Sequence, residues 1–103
     1  MVQVHWTKRA LDDLNEIMNY VAQDSPARAV KLVSRLLRAT RSLEHSPKMG
    51  RVVAELGQDD VRELVSVRPY RIIYRIREET CSVVYVFHSS RDFASFLRQE
   101  GTN

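Results

Sequence analysis

Apolar and polar residues along the chain follow two rhythms, and each change of rhythm marks the boundary of an element. Val2-Gln3-Val4-His5-Trp6 alternates with a period of two, the pattern of a short strand that turns Val2, Val4 and Trp6 inward. From Lys8 to about Gln23 the period lengthens, and Leu11, Leu14, Ile17, Met18 and Val21 fall on one stripe of a helix. Thr7 stands just before it, where a hydroxyl accepts from the free amides of the first turn. Asp24-Ser25-Pro26 interrupts the pattern: Ser25 suits the cap of a second helix, and Pro26 its first position, where the missing amide hydrogen is not needed. That helix is predicted from Pro26 to about Glu44, with Ala29, Val30, Val33, Leu36, Leu37, Thr40 and Leu43 buried. So short a connection folds the two helices into an antiparallel hairpin.

Ser46-Pro47 stops the second helix, and Arg51 to Asp60 reads as a connecting loop with a short extended piece at Val52-Val53. Alternation then returns. Val61 to Val67 and Tyr70 to Arg77 are predicted strands, Glu78-Glu79 is a hairpin turn, and Cys81 to His88, rich in Val, Tyr and Phe, is a strand central in the sheet. Ser89-Ser90 is expected to cap a last helix through Phe93, Phe96 and Leu97, and the tail from Glu100 to Asn103 is expected to fray. The order β-α-α-β-β-β-α describes an α+β fold over residues 1–103, read as a single domain with the helical hairpin packed on an antiparallel-rich sheet.

Composition narrows the picture only slightly. At 103 residues the chain can bury a little over ~60% of its unfolded surface, enough for one modest core. Sixteen basic against 13 acidic residues give a net charge of +3, which favours nucleic acid or an acidic protein as partner. The charges are unevenly placed. Arg62, Arg68, Arg71, Arg75 and Arg77 are opposed in their stretch only by Glu63, whereas the first helix carries Asp12, Asp13 and Glu16. Arg28, Lys31, Arg35 and Arg38 recur at helical spacing along the second helix and read as a solvated face. The single Cys81 excludes an intrachain disulfide and lies in an apolar strand pattern, the setting of an inert buried thiol. No His and carboxylate spacing suits a metal, and no cofactor is expected. No apolar run approaches the roughly 20 residues of a membrane span, and the chain starts without a signal-peptide core, so a cytoplasmic protein is expected.

The strand Tyr70 to Arg77 carries the clearest chemical suggestion. Tyr70, Ile72, Tyr74 and Ile76 share one face, and Arg71, Ile73, Arg75 and Arg77 the other. Guanidiniums repeated along one side of a sheet suit an anion, either a phosphate backbone or an acidic segment.

These residues also carry a resemblance. Trp6-Thr7 before Ala10 and Asp13-Leu14, Ile17 with Tyr20, Ser25-Pro26 with Ala29, Leu43, Pro47, Met49-Gly50-Arg51, Arg62-Glu63-Leu64, Tyr70 to Arg75, and His88 before Arg91-Asp92 follow in order. Over nearly its whole length the chain resembles the RelE/ParE superfamily, the toxins of type II toxin–antitoxin modules associated with growth inhibition and plasmid stabilisation. The resemblance implies the same element order. It also implies a cognate antitoxin with an acidic C-terminal segment, and operator DNA reached through the antitoxin complex. Two activities exist in the superfamily. RelE-like members cut mRNA on the ribosome, and ParE-like members poison DNA gyrase.

Under the endoribonuclease alternative, the resemblance makes Arg62, Arg71 and His88 the catalytic candidates. Arg71 would face the scissile phosphate and His88 would act as general acid or base. Arg62, Arg71, Arg75, Arg77 and Arg91 are the candidate binding residues of a basic sheet face for nucleic acid or antitoxin. Three departures weigh against cutting. Leu64 stands where the nuclease pattern has a lysine, Phe93 and Phe96 stand where it has a tyrosine, and His88-Ser89-Ser90-Arg91-Asp92 looks like a ParE-like ending. A gyrase inhibitor is therefore the favoured expectation, and a degenerate toxin that binds only its antitoxin is the third.

Overall fold

Strand β1 (Gln3–Trp6) leads into helix α1 (Lys8–Asp24), whose first turn is capped by Thr7 Oγ1 accepting from the Ala10 amide at 3.1 Å. Ser25 both ends this helix and starts the next. Its amide donates to the Val21 carbonyl, and its Oγ accepts from the Arg28 amide at the start of α2 (Pro26–Arg41). A 3₁₀ turn at Ser42–Glu44 continues α2 and buries Leu43, so the helical region reaches Glu44 but tightens over its last residues. A computed structural model describes residues 1–101, without the side chains of Phe96, Gln99 and Glu100.

The rest of the chain builds the sheet: β2 (Arg51–Val52), β3 (Val61–Leu64), β4 (Tyr70–Arg77) and β5 (Thr80–His88), followed by helix α3 (Phe93–Gly101). The strands lie in the order β1-β5-β4-β3-β2, with β1 parallel to β5 and every other pair antiparallel. Strand β3 ends at Leu64, short of the expected Val67, because the chain turns there and the Tyr70 amide donates to the Val67 carbonyl. Glu78, in the predicted Glu78-Glu79 turn, takes a positive φ of 53°. The cap of α3 is Asp92, which accepts from the Ser95 amide and hydroxyl, and not the expected Ser89-Ser90. The helix runs past Glu100 to Gly101, while the expectation for Phe96 and for a frayed Thr102-Asn103 lies outside the described residues.

Both faces of the sheet are covered. On one, the α1–α2 hairpin packs Ala10, Leu14, Leu36 and Leu43 against Ile72, Tyr74, Cys81, Val83 and Val86. On the other, Ile73, Phe87 and Phe93 form a second cluster with Val53 and Val61 beneath α3 and the loop after β2. The buried stripes are displaced from the expected ones. Val30 is 66% exposed and Leu11 45%, because α1 turns Ala10 and Asp13 inward with Leu14, and α2 centres on Ala29, Leu36 and Thr40.

A β-bulge decides which residues of β5 face which cluster. Ile73 pairs with Tyr85 and Tyr74 with Val83, so Val84 is an extra residue. Cys81 and Val83 face the hairpin before it, and Val86 does so after it, while Tyr85 and Phe87 join the second cluster. Strand β1 accompanies β5 only as far as Val83. Beyond that point the Val86 amide is taken by a side chain: Asp13 of α1 accepts it at 3.0 Å and accepts from Arg9 Nε at the same distance. Burial raises the Asp13 pKa despite both donors.

Asp13 therefore joins the hairpin to the sheet. Asp13→Leu should lower the unfolding free energy by about 1–3 kcal/mol, because the buried Val86 amide loses its acceptor, and urea denaturation measures it. Asp13→Asn keeps an acceptor and should lose less. A raised folded pKa gives stability that is complete below the ordinary value of 3.8 and lost as pH rises through the folded value. The stability of Asp13→Asn relative to the parent chain should thus improve as pH is raised from 3.8.

Candidate functional site

The strand of arginines does not form one basic face. Residues directly opposed across strands share a face of the sheet, and Arg62 is paired with Tyr74, on the hairpin side, as Tyr70 is with His88. Arg71, Arg75 and Arg77 lie on the α3 side. The three catalytic candidates are thus separated: Arg71 is across the sheet from the other two, and Arg62 and His88 are two strands and four residues apart, about 16 Å.

Each is also held in place. Arg62, 14% exposed, donates through Nη1 to the Gly50 carbonyl at 2.9 Å and through Nη2 to Asp59 Oδ1 at 2.8 Å. It thereby fastens β3 to the segment before β2. The neighbouring Tyr74 hydroxyl donates to the Pro47 carbonyl at 2.7 Å and accepts from the Gly50 amide at 3.0 Å. A Cβ on Gly50 would stand 2.6 Å from the Glu63 carbonyl, so this close approach requires glycine. His88 is exposed, accepts from the Ser90 amide on Nδ1, and meets the Tyr70 ring edge-on at 5.8 Å. It borders a small groove with Asp13, Glu16, Tyr20 and Arg91.

Arg71 is the most committed of all. Its Nε and Nη2 donate to the two oxygens of Glu63 at 2.6 and 3.1 Å, and Nη1 and Nη2 donate to the two oxygens of Glu55 at 3.0 Å each. Its guanidinium carbon lies 5.4 Å from the Phe87 ring centre and 5.2 Å from that of Phe93. Glu63 is 3% exposed and also meets Arg51 Nε at 3.3 Å. The two carboxylates hold the Arg71 pKa above its ordinary value, and Arg71 in turn holds that of Glu55 below the usual carboxylate range. The pairing of Arg71 with Glu63 places Glu63 on the opposite side of β3 from Arg62. Glu55 comes from the loop, and no spacing in the sequence pointed to it.

This cluster forms the floor of a groove of about 750 Å³ that also takes in Arg68, Tyr70 and Ser89. Arg75 Nε is buried without a hydrogen-bond partner among the described residues, and Arg77 is exposed at the end of the strand. Chemically, the groove offers cations at its rim and a neutralised ion-pair cluster at its centre.

Arg71→Ala would leave Glu63 buried and charged with only Arg51 beside it. A loss of about 3–5 kcal/mol is expected in chemical denaturation, so inactivity of this variant would not by itself indicate a catalytic arginine. Glu55→Gln, at the exposed side of the fork, should cost far less. The depressed Glu55 pKa supplies stability present above the ordinary value of 4.5 and lost as pH falls through the folded value. Acid unfolding of Glu55→Gln should therefore begin from a lower plateau and fall less steeply below pH 4.5.

Comparison with known proteins places this geometry in a family. The family model of the ParE toxin of type II toxin–antitoxin systems, parDE, matches residues 4–93. The chain is 41% identical over 91 residues to Toxin RelE2 of Caulobacter vibrioides, spanning 88% of this chain and 99% of that one. It is 34% identical over 97 residues to Putative toxin Y4kP of Sinorhizobium fredii, spanning 92% and 96% respectively. A chain from the solved structure titled Chromosomal ParDE TA system from P. aeruginosa shares the fold, with a TM-score of 0.70 over 85% of this chain and 96% of that one at 23% identity. The observed order β-α-α-β-β-β-β-α differs from the expected one only by the short β2, and the covered sheet and a family match across most of the sequence agree with it: the chain belongs to the ParE toxin family of type II toxin–antitoxin systems, within the RelE/ParE superfamily.

Proposed function

We propose that this toxin arrests growth by binding DNA gyrase and poisoning it, and that it does not cut RNA. The observation that carries this reading is the double carboxylate clamp on Arg71. A nuclease of the kind the resemblance offers needs a cation free to meet the scissile phosphate, with an acid or base within about 3 Å of the reacting oxygens. Here that arginine is neutralised by Glu55 and Glu63, and the nearest histidine candidate stands on the opposite face of the sheet. Leu64, buried in the core, supplies no second cation. The separation of Arg62, Arg71 and His88 supports an inhibitor that acts by contact.

A cognate antitoxin is the expected partner. The likeness to a chain of a ParDE toxin–antitoxin system and the family match both support it. The groove above Arg71, rimmed by Arg51 and Arg68, fits an acidic segment that orders on docking, as coupled folding and binding would require. Operator DNA would be reached through the antitoxin.

Purified toxin should block gyrase supercoiling and accumulate cleaved DNA, while translation in a cell extract continues. His88→Ala should retain this inhibition. Arrest of translation with mRNA cut on ribosomes, and gyrase untouched, would reject the reading in favour of the endoribonuclease. Inactivity in both assays, with antitoxin binding preserved, would identify a degenerate toxin.

A further inference from the structure

Helix α2 holds five of the chain's 16 basic residues and none of its 13 acidic ones, so the remainder of the molecule is net negative. Arg28 is paired with Asp24 at 2.8 Å. Lys31, Arg35, Arg38 and Arg41 are exposed, and none has an ion pair among the described residues. A merely solvated helix face usually mixes signs, since opposite charges four residues apart stabilise it and like charges destabilise it by a few tenths of a kcal/mol per pair, about 0.2–0.5. Lys31 and Arg35 have that unfavourable spacing. The stripe from Lys31 to Arg41 rises about 15 Å along the helix. Beside it lies a groove of about 260 Å³, bordered by Arg35, Arg38, Ser42 and, from the turn after β3, Ser66.

We propose that the exposed face of α2 binds the phosphate backbone of a DNA duplex, with Arg35 and Arg38 grasping a phosphate at this groove and Lys31 and Arg41 meeting its neighbours. Guanidiniums donate to phosphate oxygens in bidentate fashion, and the Ser66 hydroxyl adds a donor from a second element. The stripe is long enough for several contacts on a duplex that presents a charge about every 1.7 Å of its axis. An acidic protein fits less well, because α2 has no aromatic residue to anchor a buried interface centre. The site lies apart from the Arg71 cluster and does not depend on the gyrase reading.

The test is fluorescence anisotropy of the full-length protein with a labelled short DNA duplex across a salt series. Four phosphate contacts predict a slope of log K against log salt of about −3.6, close to a hundredfold loss of affinity from about 50 to 200 mM. Arg35→Gln with Arg38→Gln should reduce the slope by about 1.8, so that the same salt step costs roughly tenfold. Circular dichroism should show both parent and variant folded. Lys8→Gln with Lys48→Gln removes the same charge from exposed positions elsewhere and should leave the slope unchanged. Equal losses in the two double variants would mean that net charge alone drives binding, and would overturn the proposal. So would no duplex binding at low salt, or tighter binding of a poly-glutamate peptide than of DNA. Gyrase supercoiling, measured on the same variants, reports separately on the inhibitor reading.

Discussion

The arrangement around Arg71 rests on one buried ion pair. Glu63 on β3 and Arg71 on β4 meet beneath α3, and the guanidinium reaches onward to Glu55 in the loop after β2 and lies against Phe87 and Phe93. Two strands and the loop after β2 thus share one cation. Such a pair is a modest source of net stability, since removing two charges from water costs nearly what their attraction returns. Its consequence is positional. Once Glu63 is buried, Arg71 must stay with it, and the fork that remains on Arg71 draws in the Glu55 loop. The same geometry removes the guanidinium most suited to a phosphate from the pool of available charge.

The bulge at Val84 has an equally specific consequence. It reverses the facing of the end of β5, which sends Phe87 to Arg71 and His88 to the opposite side. Without the extra residue Phe87 would point at the hairpin. The end of β5 also runs beyond its parallel neighbour, and Asp13 answers the exposed amide with a carboxylate from α1. A helix side chain therefore completes what would otherwise be an open sheet edge, and it leaves Val86 without a free donor for another strand.

Much of this fold was legible in the sequence. The caps at Thr7 and Ser25, the strand over Tyr70 to Arg77 and the turn at Glu78-Glu79 follow from local chemistry, and they appear as read. The errors share a cause. A strand buried on both faces loses its alternation, so Val83-Val84-Tyr85-Val86-Phe87 concealed the bulge. The two-covered sheet also turned Arg71 and Ile73 from an expected surface into an interior. Helix stripes were misplaced for a related reason. Asp13 is absent from the expected α1 stripe because its partner, the Val86 amide, is 73 residues away and invisible to any local pattern. Glu55 lies in a loop with no periodicity at all, and only the tertiary fold brings it to Arg71.

Charge separation follows from these placements. Two of the sheet arginines prominent in the sequence are bound to carboxylates or carbonyls: Arg62 by Asp59 and Gly50, Arg71 by Glu55 and Glu63. The helix α2, whose cations repeat at an unremarkable spacing, keeps four of them exposed on one surface. Coulomb energy between charges falls with the dielectric and with screening, so a neutralised cluster projects almost no field beyond about a Debye length, roughly 8 Å at physiological salt. A row of unpaired cations on one helix sums instead of cancelling. The long-range attraction proposed for a duplex therefore originates on the outer face of the hairpin, while Arg62 and Arg71 organise the interior.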